Sequence, residues 1–196
     1  MSKGNQTREM ILSVALAEAS TSGLVGISIG GLARAVGLSK SGLYAHFQSK
    51  EDLQIQVLRT AGEQFIDSVM APALREARGE PRVRAMFENW LIWSESDALP
   101  GGCLFIAAAN EFDDRPGPLR DYLVQSQRDW LDSLATSARI AVDENHFRGD
   151  LDVQQFAYDF YAIILAYHQY HRLLRDPKTK VWCREAFEAL LSRSRA

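Results

Sequence analysis

Apolar residues recur at helical spacing along almost all of the 196 residues, and no stretch alternates β-branched and polar residues with period two. Ile11, Leu12, Ala15, Leu16 and Ala19 form one stripe, which predicts a helix from about Thr7 to Ser22 that Gly23 stops. Leu32, Ala33 and Val36 mark a second, short helix, with Ser28 as its N-cap and Gly37 as the left-handed residue ending it. Ser39 caps a third, in which Leu43 and Phe47 share the inward face at i, i+4 spacing. Ser49 caps a fourth, with Asp52 as a near capping box, and Leu53, Val57, Phe65 and Val69 carry it to Pro72 or slightly beyond.

Longer helices follow, separated by turn signals. The run Ala77-Arg78-Gly79-Glu80-Pro81 is a break. A fifth helix carrying Val83, Phe87, Trp90 and Trp93 ends before Leu99-Pro100-Gly101-Gly102. The sixth runs from Cys103 to about Glu111, the seventh from about Leu119 to Asn145, and the eighth from about Asp152 to Arg175. Pro177 opens the last, which reaches the C-terminus. The pattern predicts an all-α chain of about nine helices, with a small head at 5–65 and a larger body at 66–196.

Residues 28–47 have the layout of a helix-turn-helix: two short helices joined by a tight turn. With Leu43 and Phe47 inward, Ser41, Gly42 and Ala45 point outward, flanked by Lys40 and Tyr44 on one side and His46 on the other. Such a helix has a low-profile centre, so its backbone can approach a major-groove floor. Lys40 and Tyr44 suit phosphates or base edges, Ser41 suits either, and the Ala45 methyl suits a thymine methyl. Lys50 opens the fourth helix, where a cation and free N–H groups face the same anion. Ser28 can reach a phosphate as well as cap.

The overall formal charge of −3 argues against nucleic-acid binding until its distribution is read. Residues 1–50 hold five basic and two acidic side chains, and the remainder seventeen and twenty-three. A basic head on an acidic body keeps the non-reading surface away from phosphates.

Ala15, Gly23, Leu32-Ala33, Gly37-Leu38-Ser39, Gly42-Leu43-Tyr44, His46-Phe47 and Ser49-Lys50-Glu51-Asp52-Leu53 together resemble the N-terminal domain of the tetracycline-repressor (TetR) family over about residues 7–60. The resemblance implies a homodimeric transcription regulator, in which three N-terminal helices read double-stranded operator DNA. It implies a divergent C-terminal domain that dimerises and binds a small effector. By position it implies DNA contacts at Lys40, Ser41, Gly42, Tyr44, Ala45, His46 and Lys50. One departure is Gly30-Gly31 at the exposed start of the second helix, where family members often carry polar residues. Each glycine weakens a helix by up to about 1 kcal/mol relative to alanine, so a soft second helix with fewer phosphate contacts is expected.

In the body, Trp90, Trp93, Phe105, Phe112, Trp130, Tyr161 and Tyr167, with His168, are candidates for a pocket that takes an apolar or aromatic effector. Each ring taken alone reads first as bundle core; it is their number and polar handles together that suit a pocket. The resemblance places the pocket among the fourth to eighth helices. The eighth helix is apolar almost all round, and the last carries Cys183, Phe187, Leu190 and Leu191 at i, i+4, i+7, i+8. These two helices, paired with a second subunit's, are expected to form an intersubunit four-helix bundle with that stripe in the seam.

Other functions find little support. His168 and His171 lack a third ligand, and Cys103 and Cys183 lack metal spacing, so neither a metal nor a cofactor is expected. Glu111, Asp113 and Asp114 cluster beside a Pro-Gly turn, but no nucleophile elbow, P-loop, dinucleotide fingerprint or HExxH motif occurs, so no enzyme is expected. No apolar run approaches the ~20 residues of a membrane span, and the N-terminus lacks a secretory core, so a cytoplasmic protein is expected. The expected activity is that of a ligand-responsive regulator, a repressor released from a pseudo-palindromic operator. The alternatives are an activator, or an interaction module of the same fold that has lost DNA binding.

Overall fold

The structure is a computed structural model and describes residues 3–196. The described residues form helices α1 (Lys3–Gly26), α2 (Ile29–Ala35), α3 (Lys40–Tyr44), α4 (Lys50–Phe65), α5 (Ala71–Arg75), α6 (Glu80–Ser94), α7 (Leu104–Phe112), α8 (Pro118–Asp143), α9 (Val153–Gln169) and α10 (Thr179–Ser194). A π-helical turn, Ile66–Met70, joins α4 to α5 without a break. Counting that run once gives nine helices among the described residues, and the all-α expectation holds. A second π-turn, Tyr170–Leu174, extends α9. The one β feature described is an isolated antiparallel bridge between Phe147 and Arg195.

The expected punctuation is largely where the chain turns. Gly23 leaves helical geometry at φ 78°, although helical bonding resumes to Gly26. Gly37 takes φ 69°. The fourth cap differs in detail: Ser49 Oγ accepts from Asp52 N at 3.0 Å, but the Asp52 carboxylate accepts from Gln48 N, one residue before the cap. The last helix starts at Thr179 rather than at Pro177, because the Asp176 carboxylate and carbonyl bond Lys178 N and Thr179.

The chain packs as two compact units. The first comprises the chain up to Phe65 together with Ser94–Val124; the second comprises Ile66–Trp93 and Gln125–Ala196. The first unit thus joins residues 94–124 to those up to Phe65. The first unit has its core at Ile11, Leu16, Leu32, Leu43, Leu53 and Leu104, all with no more than 1% exposure. Burial of each such side chain contributes about 1.5–3 kcal/mol.

The second unit is built round an aromatic stack. Phe87 and Phe187 lie parallel at 3.9 Å between centroids, and Phe160 meets both edge-on. Trp130 adds a further edge contact to Phe160. The stripe expected in the dimer seam, Cys183, Phe187, Leu190 and Leu191, packs inward, at most 6% exposed within the single chain. The sequence pattern identified an apolar stripe correctly, but the chain's own aromatics fill it. The exposed face of α9 instead carries Tyr158, Ala162, Leu165 and Ala166, and that of α10 carries Val181, Trp182, Ala186 and Ala189.

Ion pairs tie the ends of the second unit together. Glu80 at the start of α6 accepts from Arg195 at 2.7 and 2.9 Å and from Arg84 at 2.8 Å, and Arg84 also grips Glu188 of α10. The Arg195 hydrogen bonds, helped by Arg84, hold the Glu80 carboxyl down at about 2 from its ordinary 4.5, against the opposing effect of burial. A carboxylate with a depressed folded-state pKa contributes stability above its ordinary value, and that contribution fades as pH falls towards the folded value. We therefore expect the wild type to lose about 1–2 kcal/mol more than Glu80→Gln between pH 6 and pH 2, a range discounted for the partly exposed arginines. Urea unfolding at the two pH values measures it, and equal losses would remove Glu80 from this role.

Candidate nucleic-acid interface

Serine caps build the reading head. Ser28 Oγ accepts from Gly31 N at 3.2 Å and Ser39 Oγ accepts from Gly42 N at 3.0 Å, so both short helices start where the chain supplies an acceptor for orphan N–H groups. Between them Gly37 turns the chain, and Leu38 N bonds back to Ala33 O at 2.8 Å. Leu43 and Phe47 anchor the third helix from below, at 0% and 2% exposure. The Arg8 guanidinium lies 5.3 Å from the Phe47 ring centroid and so brings a cation of α1 beneath the reading helix.

The outward set is narrower than the sequence suggested. Ser28, Lys40, Ser41, Tyr44 and Ala45 are exposed, Tyr44 at 47%. α3 is only five residues long, with Ala45 as its C-cap. Gly42 is half-buried and turned toward its own cap: a Cβ there would lie 3.2 Å from Ser39 Oγ. His46 is half-buried too, its ring 6.5 Å from that of Phe47. Lys50, also half-buried, donates from Nζ to Val25 O at 2.9 Å.

The paired glycines have different consequences. At Gly30 a Cβ would come within 3.1 Å of Lys40 Cε, 3.7 Å of Lys40 Nζ and 3.9 Å of Arg34 Nη1. The bare backbone of α2 thus leaves space in which two cations converge, and Arg34, unremarked in the sequence, joins Lys40. At Gly31 a Cβ would meet only Ser28, at an ordinary 3.4 Å. Gly31→Ala should therefore stabilise the protein by about 0.4–1 kcal/mol by restricting the unfolded chain. A thermal midpoint that fails to rise would mean that α2 needs glycine there for another reason.

The corner between α1 and α2 is held on several sides. Gln54 Nε2, buried, donates to Leu24 O at 2.7 Å, and Lys50 holds Val25 O. From α7, Glu111 Oε2 accepts from Val25 N at 2.9 Å. A Cβ at Gly23 would overlap Glu111 Oε1 at 1.7 Å, so a side chain there would displace the Glu111 carboxylate, and the positive φ itself favours glycine. One turn earlier Gly101 N donates to Ser20 Oγ at 2.9 Å, and a Cβ on Gly101 would fall 1.6 Å from Ser20 O. In the sequence Glu111 stood out only as part of an acidic cluster and Gln54 not at all, since only the fold brings them to residues more than 25 positions away.

The proposed effector residues are divided. Phe105, half-buried, and Phe112, buried, belong to the first unit; the other six lie in the second. Trp90, Trp93, Trp130 and Tyr167 are buried, with Trp90 edge-on to Tyr167 at 5.8 Å. Tyr161 and His168 are half-buried. Burial, with Arg172 and His171 nearby, pushes His168 down to about 4, so its imidazole is neutral at pH 7. His171 stacks on Tyr167 at 5.2 Å, a ring contact that gives this histidine a packing role. Burial raises Cys103 to about 11 and Cys183 to about 12, which keeps both as inert thiols at neutral pH.

A capped helix pair with a buried base and an exposed Lys-Ser-Tyr-Ala face, on an all-helical chain, defines a helix-turn-helix DNA-binding regulator. Residues 11–57 match the family described as bacterial regulatory proteins, tetR family, and residues 79–187 match the tetracyclin repressor-like C-terminal domain. The chain belongs to the TetR family.

Solved structures agree. A TetR transcriptional regulator from Chloroflexus aurantiacus is 25% identical, with a TM-score of 0.87 over 98% of this chain and 96% of that one. A TetR-family regulator from Cytophaga hutchinsonii, 22% identical, has a TM-score of 0.86 over 100% and 98%. AibR, whose structure holds isovaleryl coenzyme A and operator DNA, is 19% identical with a TM-score of 0.75 over 95% and 96%. No curated protein sequence matches the chain. TetR-family members are transcriptional regulators rather than enzymes; they bind operator DNA and small effectors and act as dimers. Among the described residues no helix is long and apolar enough to cross a membrane.

Proposed function

We propose that this chain is a one-component repressor that leaves a pseudo-palindromic operator when a small apolar or aromatic effector binds. The observation that carries the DNA half of this reading is the low-profile exposed face of α3, flanked by cations. Tyr44, Ser41 and Ala45 meet base edges, while Ser28 and Lys50 approach the backbone. Lys40 and Arg34, gathered over Gly30, form a receptor for one phosphate, since two like charges side by side favour an anion between them. A dimer sets its two α3 helices in successive major grooves, about 34–36 Å apart or somewhat more.

Dimerisation uses the outer faces of α9 and α10. Their exposed aromatics and aliphatics, set among alanines, let two helix pairs approach closely into a four-helix bundle. The effector engages the half-buried side chains of Tyr161 and His168 in the second unit, against buried rings such as Trp90 and Tyr167. A neutral His168 suits an uncharged ligand. Release follows because the effector binds more tightly to the form that fits the operator poorly.

Gel shift against duplexes covering the DNA upstream of the gene is the direct test. A salt-sensitive, sequence-selective shift is expected. Equal affinity for all duplexes, or none, would sink the repressor reading.

A further inference from the structure

We propose that Glu111 is a positioning residue for operator binding, fixing the reading head from a helix outside it. The proposal rests on the DNA-binding function given above.

Glu111 lies within 79–187, the residues matched by the C-terminal domain, and yet it packs in the same compact unit as 11–57. Its carboxylate takes the Val25 amide at 2.9 Å and lies against Gly23, in the space a Cβ there would occupy. Val25 is where α1 ends and the chain turns into α2, which carries the capped start of the helix-turn-helix. Gln54 and Lys50 hold the carbonyls of the same two-residue corner, but both come from α4, inside the head. Among these side chains, Glu111 alone brings in a C-terminal helix. Gly101 on Ser20 supplies a second attachment from the same stretch, so α1 is held to residues 94–124 at two levels. The tilt of α2 and α3 against α1 is thus set partly by α7, which gives the C-terminal domain a direct hold on the DNA-reading geometry.

The charge of Glu111 makes the test discriminating. A carboxylate repels DNA, so on electrostatic grounds alone Glu111→Ala and Glu111→Gln should both bind DNA slightly more tightly. Positioning predicts otherwise. Glu111→Ala should weaken operator binding by about tenfold, equivalent to ~1.4 kcal/mol, and leave affinity for non-operator duplex unchanged or slightly raised. Glu111→Gln keeps an oxygen acceptor for Val25 N–H and should stay within about twofold of the wild type. Glu111→Asp keeps the charge but withdraws it by one methylene, and should resemble the alanine variant.

Fluorescence anisotropy on operator and scrambled duplexes gives the affinities, and hydrogen exchange of the Val25 amide reports the clamp. Faster exchange in the alanine and aspartate variants, tracking lost operator affinity, supports the assignment. Equal operator affinity across the three variants overturns it, as does a loss shared by glutamine and alanine. Should Glu111→Ala fail to fold, the glutamine–aspartate pair still separates acceptor placement from charge. A wild type that binds no duplex selectively would instead strike at the proposed function.

Discussion

Phe187→Ala is expected to lower the unfolding free energy by about 3–5 kcal/mol, because it removes a ring from the centre of a closely packed aromatic cluster. Phe187 is 2% exposed, stacked on Phe87 at 3.9 Å and met edge-on by Phe160 at 5.4 Å. The hole left behind cannot collapse easily, since α6, α9 and α10 all contribute to its walls. Trp182→Ala, on the opposite side of α10 and 43% exposed, should behave differently. It should keep native helicity but shift the dimer toward monomer. Circular dichroism melts together with sedimentation velocity separate the two effects. A Phe187 variant that falls into stable, fully folded monomers would restore the inner stripe as the dimer seam.

Tyr44→Ala should weaken operator binding by roughly tenfold, about 1–2 kcal/mol, while leaving the fold within about 0.5 kcal/mol of the wild type. The phenol is 47% exposed beside Ser41 and Ala45, above the buried Leu43 and Phe47. Its loss therefore removes a contact to DNA and opens no cavity. Anisotropy titrations at two salt concentrations should show lower specific affinity with a nearly unchanged salt slope, as a neutral group releases no counterions. A large fall in thermal midpoint, or undiminished operator binding, would remove Tyr44 from the reading face.

Much of the head was legible because its determinants are local. Ser28, Gly37 and Ser39 act on backbone groups within three residues of themselves, so a cap or a left-handed turn can be read from a few letters. Leu43 and Phe47 announce the inward face through spacing alone. Gly42 and His46 were harder. His46 lies beyond α3, which ends after Tyr44, so a helical wheel extended to it places it too far outward, and Gly42, within α3, is turned toward its Ser39 cap. Arg34 and Arg8 were overlooked because their roles depend on what lies across from them, Lys40 over Gly30 and the ring of Phe47.

In the body, periodicity revealed apolar stripes but not their partners. The stripe of Cys183, Phe187, Leu190 and Leu191 would look the same whether it met a second subunit or the chain's own α6 and α9. The burial of residues 94–124 against the head was invisible for the same reason. Glu111, read as part of an acidic helix end, proved to be joined to an amide 86 positions away.

What the amino-acid sequence determined by itself was the set of helices, their caps and turns, the family, and the composition of the DNA-reading face. Each follows from interactions that span one or two helical turns, or from a motif whose spacing is set by them. Only the tertiary structure decided which apolar faces are satisfied within one chain, which cations converge, and that α7 holds the α1–α2 corner. Those outcomes depend on packing between segments far apart in sequence, and a side chain's pattern carries no record of its distant neighbour.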